Sequence, residues 1–178
     1  MTVLLMSIST FKERSFVDTN VDDKVVKLSM ELAQDHIIAP ITGTKLYDKI
    51  SEGVNEGSLA ISYQNLLVKY IWPLLIQGTE IIAKKHLLYR VTNDSIVKSS
   101  NSNSTAIDIS ELRSLLRDNE QYLNGYEDRL KLYLSANSAS FPEYYQADSD
   151  DIPSENYNGP INFYYDGPEI YTTGPSSR

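Results

Sequence analysis

The sequence contains no cysteine and only two histidines among its 178 residues. The lack of cysteine excludes disulfide bonds, thiolate metal sites and cysteine nucleophiles, and leaves the redox compartment open. Both histidines, His36 and His86, lie within predicted helices beside apolar residues. His36 follows Asp35, but adjacent residues point to different sides of a helix, so the two do not form a catalytic pair. We interpret both histidines as half-buried polar residues.

Motifs for binding metals or phosphate are also missing. The sequence has no HxxxH, no HExxH and no EF-hand loop, and Gly43-Thr44 lacks the rest of a phosphate-binding loop. The acidic run from Asp148 to Asp151 could attract calcium weakly, but a solvated acidic linker is the simpler interpretation. We therefore predict no catalytic residue, no cofactor and no metal, and expect a protein that is not an enzyme.

Basic residues are fewer than acidic ones, with 16 Lys and Arg against 24 Asp and Glu and a net charge of −8. Most of that charge lies after Asn137, where seven acidic residues are accompanied only by Arg178. Such a chain is poorly suited to gripping nucleic acid through its phosphates, although it can lie beside DNA without holding it. The apolar run from Val3 to Met6 is too short to cross a bilayer, so no membrane association is expected.

Residues 21–137 show helical patterning and contain few prolines. The first helix is predicted over about residues 21–39, ended by Pro40, with a turn at Gly43. Thr44 is the predicted cap of a short second helix that stops at Gly53. A strongly apolar region over residues 58–90 is expected at the centre of a bundle. Pro73 lies inside it and predicts either a kink or a break and restart of the helix.

Residues 92–107 interrupt this pattern, because they are polar and rich in Ser and Asn around one apolar pair, Ile96-Val97. We interpret them as a hairpin-like excursion with a flexible tip near residues 101–104, either functional or simply mobile. Asp108 and Glu111 then resemble a capping box that starts a last helix reaching about residue 135. The predicted fold is all-α, an antiparallel helical bundle with a long hairpin-like loop.

The composition changes at residue 138. Residues 138–178 hold five of the seven prolines and six of the thirteen tyrosines. Gly-Pro steps at Gly159, Gly167 and Gly174 separate short β-prone aromatic runs. We therefore predict two parts, a helical bundle over residues 1–137 and an extended acidic arm over residues 138–178. The arm suits contact with a neighbouring subunit, or stays disordered until assembly.

Several features together resemble the helical head–tail connector proteins of tailed phages, also called adaptor, head-completion or ring proteins, and particularly those of crAss-like phages. They are Ala33-Gln34 before an Ile-rich turn, Pro40 followed by Gly43-Thr44, Leu46-Tyr47, the Trp72-Pro73 step, the Ile96-Val97 hairpin, and a Tyr/Leu-rich helix closing on Phe141-Pro142. They extend over about residues 10–146. The tail from about Ala147 onward has no counterpart in the family pattern.

The resemblance implies a structural virion protein at the head–tail junction, made in the host cytoplasm. It implies a ring, usually of twelve copies, that docks on the portal protein and on neighbouring connector or tail proteins. DNA would pass through the lumen without sequence-specific binding. The expected interface residues lie in the loop and in the arm: Ser95, Ile96, Val97, Lys98, Ser99, Ser100, Asn101, Phe163, Tyr164, Tyr165 and Tyr171. The alternative is a small helical binding module that uses its Tyr-rich tail as a ligand.

Overall fold

The computed structural model describes residues 3–91, 96–98, 109–146 and 153, and it confirms the all-α fold. The α-helices are α1 (Ile8–Arg14), α2 (Asp23–Ala33), α3 (Ala39–Thr42), α4 (Thr44–Glu56), α5 (Ile61–Leu66), α6 (Trp72–Leu88) and α7 (Ile109–Ala136). Two π-helical segments, π1 (Gln34–Ile38) and π2 (Leu67–Ile71), join α2 to α3 and α5 to α6. Two short strands and two 3-10 turns complete the described elements.

The helix before Pro40 does not end at Ala39 as the sequence predicted. It continues through π1 and α3 to Thr42, with Pro40 in the first turn of α3. The amide of Ala39 donates to the carbonyl of Gln34, five residues back, instead of to the carbonyl four residues back. This wider turn lets the chain carry a proline, which has no amide hydrogen and would otherwise collide with the preceding turn.

Pro73 is accommodated in the same way. The amide of Trp72 donates to the carbonyl of Leu67, also five residues back, and Pro73 follows in the first turn of α6. Residues 61–88 therefore form one continuous helical path through π2 rather than two separate helices. By length and composition this path could cross a membrane, but 56% of its most apolar stretch is buried inside the protein. It is the central helix of the body.

Glycines set both ends of α4. Gly43, at φ 73° and ψ 159°, makes the turn from α3, as the sequence predicted. Gly43 itself precedes the first residue of α4, so the expected capping role of Thr44 is wrong. The helix also continues past Gly53 and ends at Gly57, which adopts the left-handed conformation at φ 66°. A left-handed residue after the last turn is the usual way to end a helix, whereas Gly53 only packs against Leu59.

The central helix packs against both α2 and α7. Gly78 lies where they meet: a Cβ atom added there would approach the Cδ1 atom of Ile37 to 2.5 Å and the Cβ atom of Ala33 to 3.4 Å. The absence of a side chain at Gly78 thus allows the central helix to approach α2 and π1 closely. The apolar stripe of α7 also faces the core, because Leu130 and Leu134 are fully buried and Leu123 and Tyr126 partly so.

The N-terminal segment is part of the core, which sequence patterning did not predict. Leu5 and Met6 are buried, and Phe11 of α1 is completely enclosed. The Gln34 side chain accepts a hydrogen bond from the amide of Leu5 at 2.8 Å and donates one to the carbonyl of Val3 at 2.9 Å. The indole nitrogen of Trp72 donates to the carbonyl of Leu5 at 2.8 Å. One group at the start of π1 and one just after π2 therefore hold the same extended segment.

A β-hairpin follows the central helix. Strand β1 (Tyr89–Val91) pairs antiparallel with β2 (Ile96–Lys98), with Tyr89 opposite Lys98 and Val91 opposite Ile96. The hairpin-like excursion is confirmed, but its chain reversal falls between Val91 and Ile96, not near residues 101–104. The apolar pair Ile96-Val97 thus belongs to the returning strand. The predicted tip and the capping residue Asp108 lie outside the described residues.

The helical body extends beyond the predicted boundary at residue 137. Residues Ser138–Ser140 and Pro142–Tyr145 form two 3-10 turns after α7. Phe141 and Tyr144 are 1% and 0% exposed and belong to the main core cluster. Residues 138–146 are consequently body rather than arm, because two large aromatic side chains anchor them. Apart from Pro153, the remainder of the predicted arm lies outside the described residues.

Candidate interaction surfaces

The two histidines are exposed on helix surfaces, not half-buried as predicted. His36 lies in π1 and His86 near the end of α6. Within the described ranges, no three His, Asp or Glu side chains come close enough to hold a metal ion. The fold therefore brings no chemistry to either histidine that the sequence had not already indicated.

The predicted interface residues fall into two groups. Ile96, Val97 and Lys98 lie in strand β2 of the hairpin, which emerges between the two longest α-helices, α6 and α7. The other predicted loop and arm residues lie outside the described part of the chain: Ser95, Ser99, Ser100, Asn101, Phe163, Tyr164, Tyr165 and Tyr171. Their role at an interface remains a prediction.

An aromatic cluster closes the end of the body where the C-terminal turns dock. The ring of Tyr63 meets that of Phe141 edge-on at 5.3 Å, and Tyr70 stacks on Tyr133 at 3.9 Å. Phe141 also contacts Tyr133, which links the two pairs. The guanidinium of Arg129 lies 5.2 Å from the ring centre of Tyr70. Edge-to-face and stacked rings add stability beyond the area that they bury, so the cluster fixes the turns to α5, π2 and α7.

One hydrogen bond connects this cluster to the carboxylate of Glu143. The Tyr63 hydroxyl donates to the Oε2 atom of Glu143 at 2.8 Å. Burial, followed by the bond to Glu143 and its negative charge, raises the pKa of Tyr63 from its ordinary value of 10.0 to about 12. Burial also raises the pKa of Tyr47, whose hydroxyl accepts a hydrogen bond from Gln34 at 3.0 Å. Both tyrosines therefore act as neutral hydrogen-bonding groups.

A rigid loop between α1 and α2 presents one aromatic side chain to solvent. Phe16 is 93% exposed, yet its amide donates to the Oε1 atom of Glu80 at 2.9 Å. Glu80 is itself buried in α6 and pairs with Lys84 at 3.2 Å. The Nζ atom of Lys12 holds the rest of the loop, because it donates to the carbonyls of Thr19 and Val21 and to Asp23. The loop backbone is thus pinned while the phenyl ring projects outward.

Other large apolar side chains are exposed on four helical segments. Single exposed apolar residues are common on soluble proteins, whereas contiguous exposed apolar patches mark interaction surfaces. The exposed set comprises Leu28 and Leu32 on α2, Ile61 on α5, Val68 on π2, and Tyr122 and Leu132 on α7. Leu28 and Leu32 are four residues apart and share one face of α2. Gly125 lies between the two exposed α7 residues, with open space where a side chain would be.

A cleft of about 210 Å³ opens at the corner between α4 and α5. Gly53, Leu59, Ala60 and Tyr63 contribute its less polar part, and Lys49, Glu52, Glu56 and Ser58 its polar part. Leu59 can lie against α4 only because Gly53 has no side chain to meet it. The cleft therefore depends on the glycine that the sequence suggested as a helix stop.

Sequence reasoning missed Phe16 and the cleft. Phe16 and Val17 form an isolated apolar pair in a polar stretch, so no periodic pattern distinguishes the exposed Phe16 from the inward Val17. The only signal was the isolation of an aromatic residue among turn-forming residues. The cleft gave no signal, because its lining joins two elements whose angle depends on the left-handed Gly57.

These features define a class: a small all-α domain with an inserted β-hairpin, an aromatic-anchored C-terminal end and apolar side chains exposed on separate helices. Residues 38–153 match a family of unknown function (DUF6712). Because this match covers more than half of the chain, the protein belongs to that family. Comparison with curated proteins and with solved structures finds no match.

Proposed function

We propose that the protein is a structural component of a tailed-phage virion, one subunit of a ring in the head–tail connector between portal and tail. Its work is docking and conduction of DNA through the lumen, without a chemical reaction. A ring needs a rigid subunit that presents two different surfaces to its two neighbours, because a head-to-tail contact repeats until it closes. The observation that carries the proposal is the exposed apolar set, which is distributed over separate helices of one tightly packed body.

The hairpin supports the same proposal. Strand β1 follows α6 directly, so the hairpin extends from the end of the central helix. Protruding loops on a rigid scaffold commonly carry contacts to partners. In this proposal the hairpin, with Ile96, Val97 and Lys98, reaches the portal or an adjacent connector protein. The net charge of −8 repels the DNA phosphates, so DNA can slide past the protein without being bound.

Imaging of virion necks with the protein carrying a small tag tests the proposal. In particles assembled in the host, we expect the tag to form a ring between portal and tail. We do not expect it on a membrane. Deletion of the gene should give heads that fail to retain DNA or to join tails. Particles that mature and keep their genomes normally without the protein would contradict the proposal. A tag located away from the neck would do the same.

A further inference from the structure

Phe16 and the α4–α5 cleft have complementary properties but lie on different parts of the subunit surface. Phe16 is the most exposed large apolar side chain among the described residues, and so does not fill the cleft of its own chain. The cleft volume of about 210 Å³ exceeds the roughly 150 Å³ that is enough to hold a benzene molecule. A phenyl ring therefore fits it by size. Its lining offers Leu59 and Tyr63 as apolar contacts.

The loop that carries Phe16 has a fixed backbone. The backbone amide of Phe16 donates a hydrogen bond to the buried Glu80, and Lys12 donates three more hydrogen bonds around the loop. Together they fix the backbone on both sides of the ring. Val17 and Val21 pack inward against the core, which leaves Phe16 as the outward residue of this stretch. A side chain presented by a fixed backbone loses little conformational entropy on binding, and aromatic residues are frequent energetic centres of interfaces.

Charges around the two features also match. Arg14, which lies over the ring of Trp72 at 5.1 Å, and Asp18 flank Phe16 on the exposed surface. The cleft carries two exposed carboxylates, Glu52 and Glu56, and the ammonium group of Lys49. Glu13 is also exposed beside Arg14, so both surfaces carry charges of both signs, and the contact must bring Arg14 to the side of the cleft that holds Glu52 and Glu56. Complementary charges at the edge of a contact guide its orientation more than its strength.

We infer that Phe16 of one copy inserts into the α4–α5 cleft of a second copy of this chain, and that this contact joins neighbours in the assembly. The contact is head-to-tail, because the inserting residue and the receiving cleft are different surfaces, and repetition would build a ring or a filament. This inference rests on the proposed function in one respect: ring closure makes a self-contact of this type necessary.

Cysteine cross-linking of the full chain tests the contact directly, because the natural sequence contains no cysteine. The double variant Phe16→Cys/Ala60→Cys should form disulfides only between copies. Under mild oxidation it should give a ladder of dimers, trimers and larger species on non-reducing gels. The matched control is Phe16→Cys/Asn124→Cys, which pairs the same loop with an exposed position on α7 and should give no ladder.

The variant Phe16→Ala supplies the second measurement. Because the side chain is exposed, its melting temperature should match that of the natural chain, while self-association measured by sedimentation should weaken about tenfold or more. Phe16→Leu should retain part of the association. Unchanged self-association of Phe16→Ala, or the absence of a ladder from the Ala60 pair, would overturn the inference. So would weaker binding of Phe16→Ala to portal protein with self-association intact.

The two proposals fail separately. A tagged ring at the neck together with no cross-link ladder would remove the Phe16 contact and leave the connector function standing. A ladder from the Ala60 pair, with the protein absent from the neck, would support the contact and remove the function.

Discussion

Gly78 and Gly125 both lie inside long helices, but Gly78 is closely packed and Gly125 is not. A side chain at Gly78 would meet Ile37 and Ala33, whereas nothing lies within 4 Å of a Cβ atom at Gly125. In the interior of a helix, glycine costs about 1 kcal/mol relative to alanine. The packing of α2 against α6 compensates for that cost at Gly78. No contact within the described chain does so at Gly125.

The two alanine substitutions should therefore change stability in opposite directions. Gly78→Ala should lower the free energy of unfolding by up to about 2 kcal/mol, because the cost of displacing the Cδ1 atom of Ile37 outweighs the roughly 1 kcal/mol gained in helix propensity. Gly125→Ala should raise it by about 0.5–1 kcal/mol, through better helix propensity. Urea denaturation followed by circular dichroism measures both. A neutral or stabilising Gly78→Ala would show that the helices do not approach as closely as described.

Gln34 is the single residue on which the N-terminal segment most depends. Its side-chain amide joins the backbone of Val3 and Leu5 to the hydroxyl of Tyr47, through one buried and two partly buried hydrogen bonds. Gln34→Ala should lower the free energy of unfolding by about 2–4 kcal/mol, because buried backbone groups lose their partners. The matched control Gln64→Ala removes one exposed hydrogen bond, to the carbonyl of Leu59, and should cost less than about 1 kcal/mol. Equal losses in thermal denaturation would contradict this role for Gln34.

Tyr63 should make stability depend on pH in the alkaline range. Its folded pKa of about 12 lies above the ordinary 10.0, so folding favours the protonated hydroxyl. The contribution is therefore complete below pH 10 and is lost as the pH rises from 10 to 12. Tyr63→Phe should remove this part of the alkaline loss and cost about 1–2 kcal/mol near neutral pH.

Denaturation curves recorded between pH 8 and 12 check this expectation. The difference between the natural chain and Tyr63→Phe should shrink across that window. The ultraviolet tyrosinate absorbance of the variant should lack one late-titrating group. A difference that stays constant to pH 12 would contradict the assignment.

At the scale of elements, periodicity predicted which segments are helical but not how they are joined. The apolar stripes of the central helix and α7 are visible in the sequence because burial repeats with the helical period. In α2 the expected apolar face was wrong, because Leu28 and Leu32 are exposed and Val26, Met30 and Ala33 are buried.

Pro40 was expected to end its helix, and Pro73 either to kink its helix or to mark a break and restart, since proline normally removes a hydrogen bond and clashes with the preceding turn. The structure places a five-residue π segment ahead of each, so the helices continue. Residue propensities do not reveal a π segment, because it is stabilised by the packing of the helices around it and not by its own residues alone.

The predicted end of the helical body at residue 137 was wrong for a similar reason. The change of composition at residue 138 is real, but Phe141 and Tyr144 are core residues within the changed segment. Composition averages over many residues and cannot show that the chain turns back, so that Phe141 contacts α5 and α7 and the turn with Tyr144 contacts α4. The 3-10 turns that bring them back have no periodic signature of their own.

Two truncations test this boundary. Removal of everything after Gln146 should leave the melting temperature nearly unchanged, because the described core remains whole. Removal of everything after Asn137 should destabilise the body by more than about 3 kcal/mol, since it deletes two buried aromatic side chains. Circular dichroism during heating measures both. Equal stability of the two truncated chains would show that residues 138–146 are not part of the core.

At the scale of the whole molecule, the candidate site is a surface, and surfaces are the part least visible in a sequence. The hairpin could be foreseen from its polar residues and its apolar pair, because turn chemistry is local. Phe16, the cleft and the exposed residues of α2 and α7 emerged only from the folded arrangement, since exposure depends on which neighbours cover each helix. The proposed ring places those exposed surfaces against sister copies and adjacent connector proteins.

Native mass spectrometry of the full chain, over a range of concentrations and with portal protein added, tests this assembly most directly. A ring predicts a symmetric species of high order, such as a dodecamer, that appears or is strengthened when portal is present. A dimer that persists at high concentration with portal present would contradict the account.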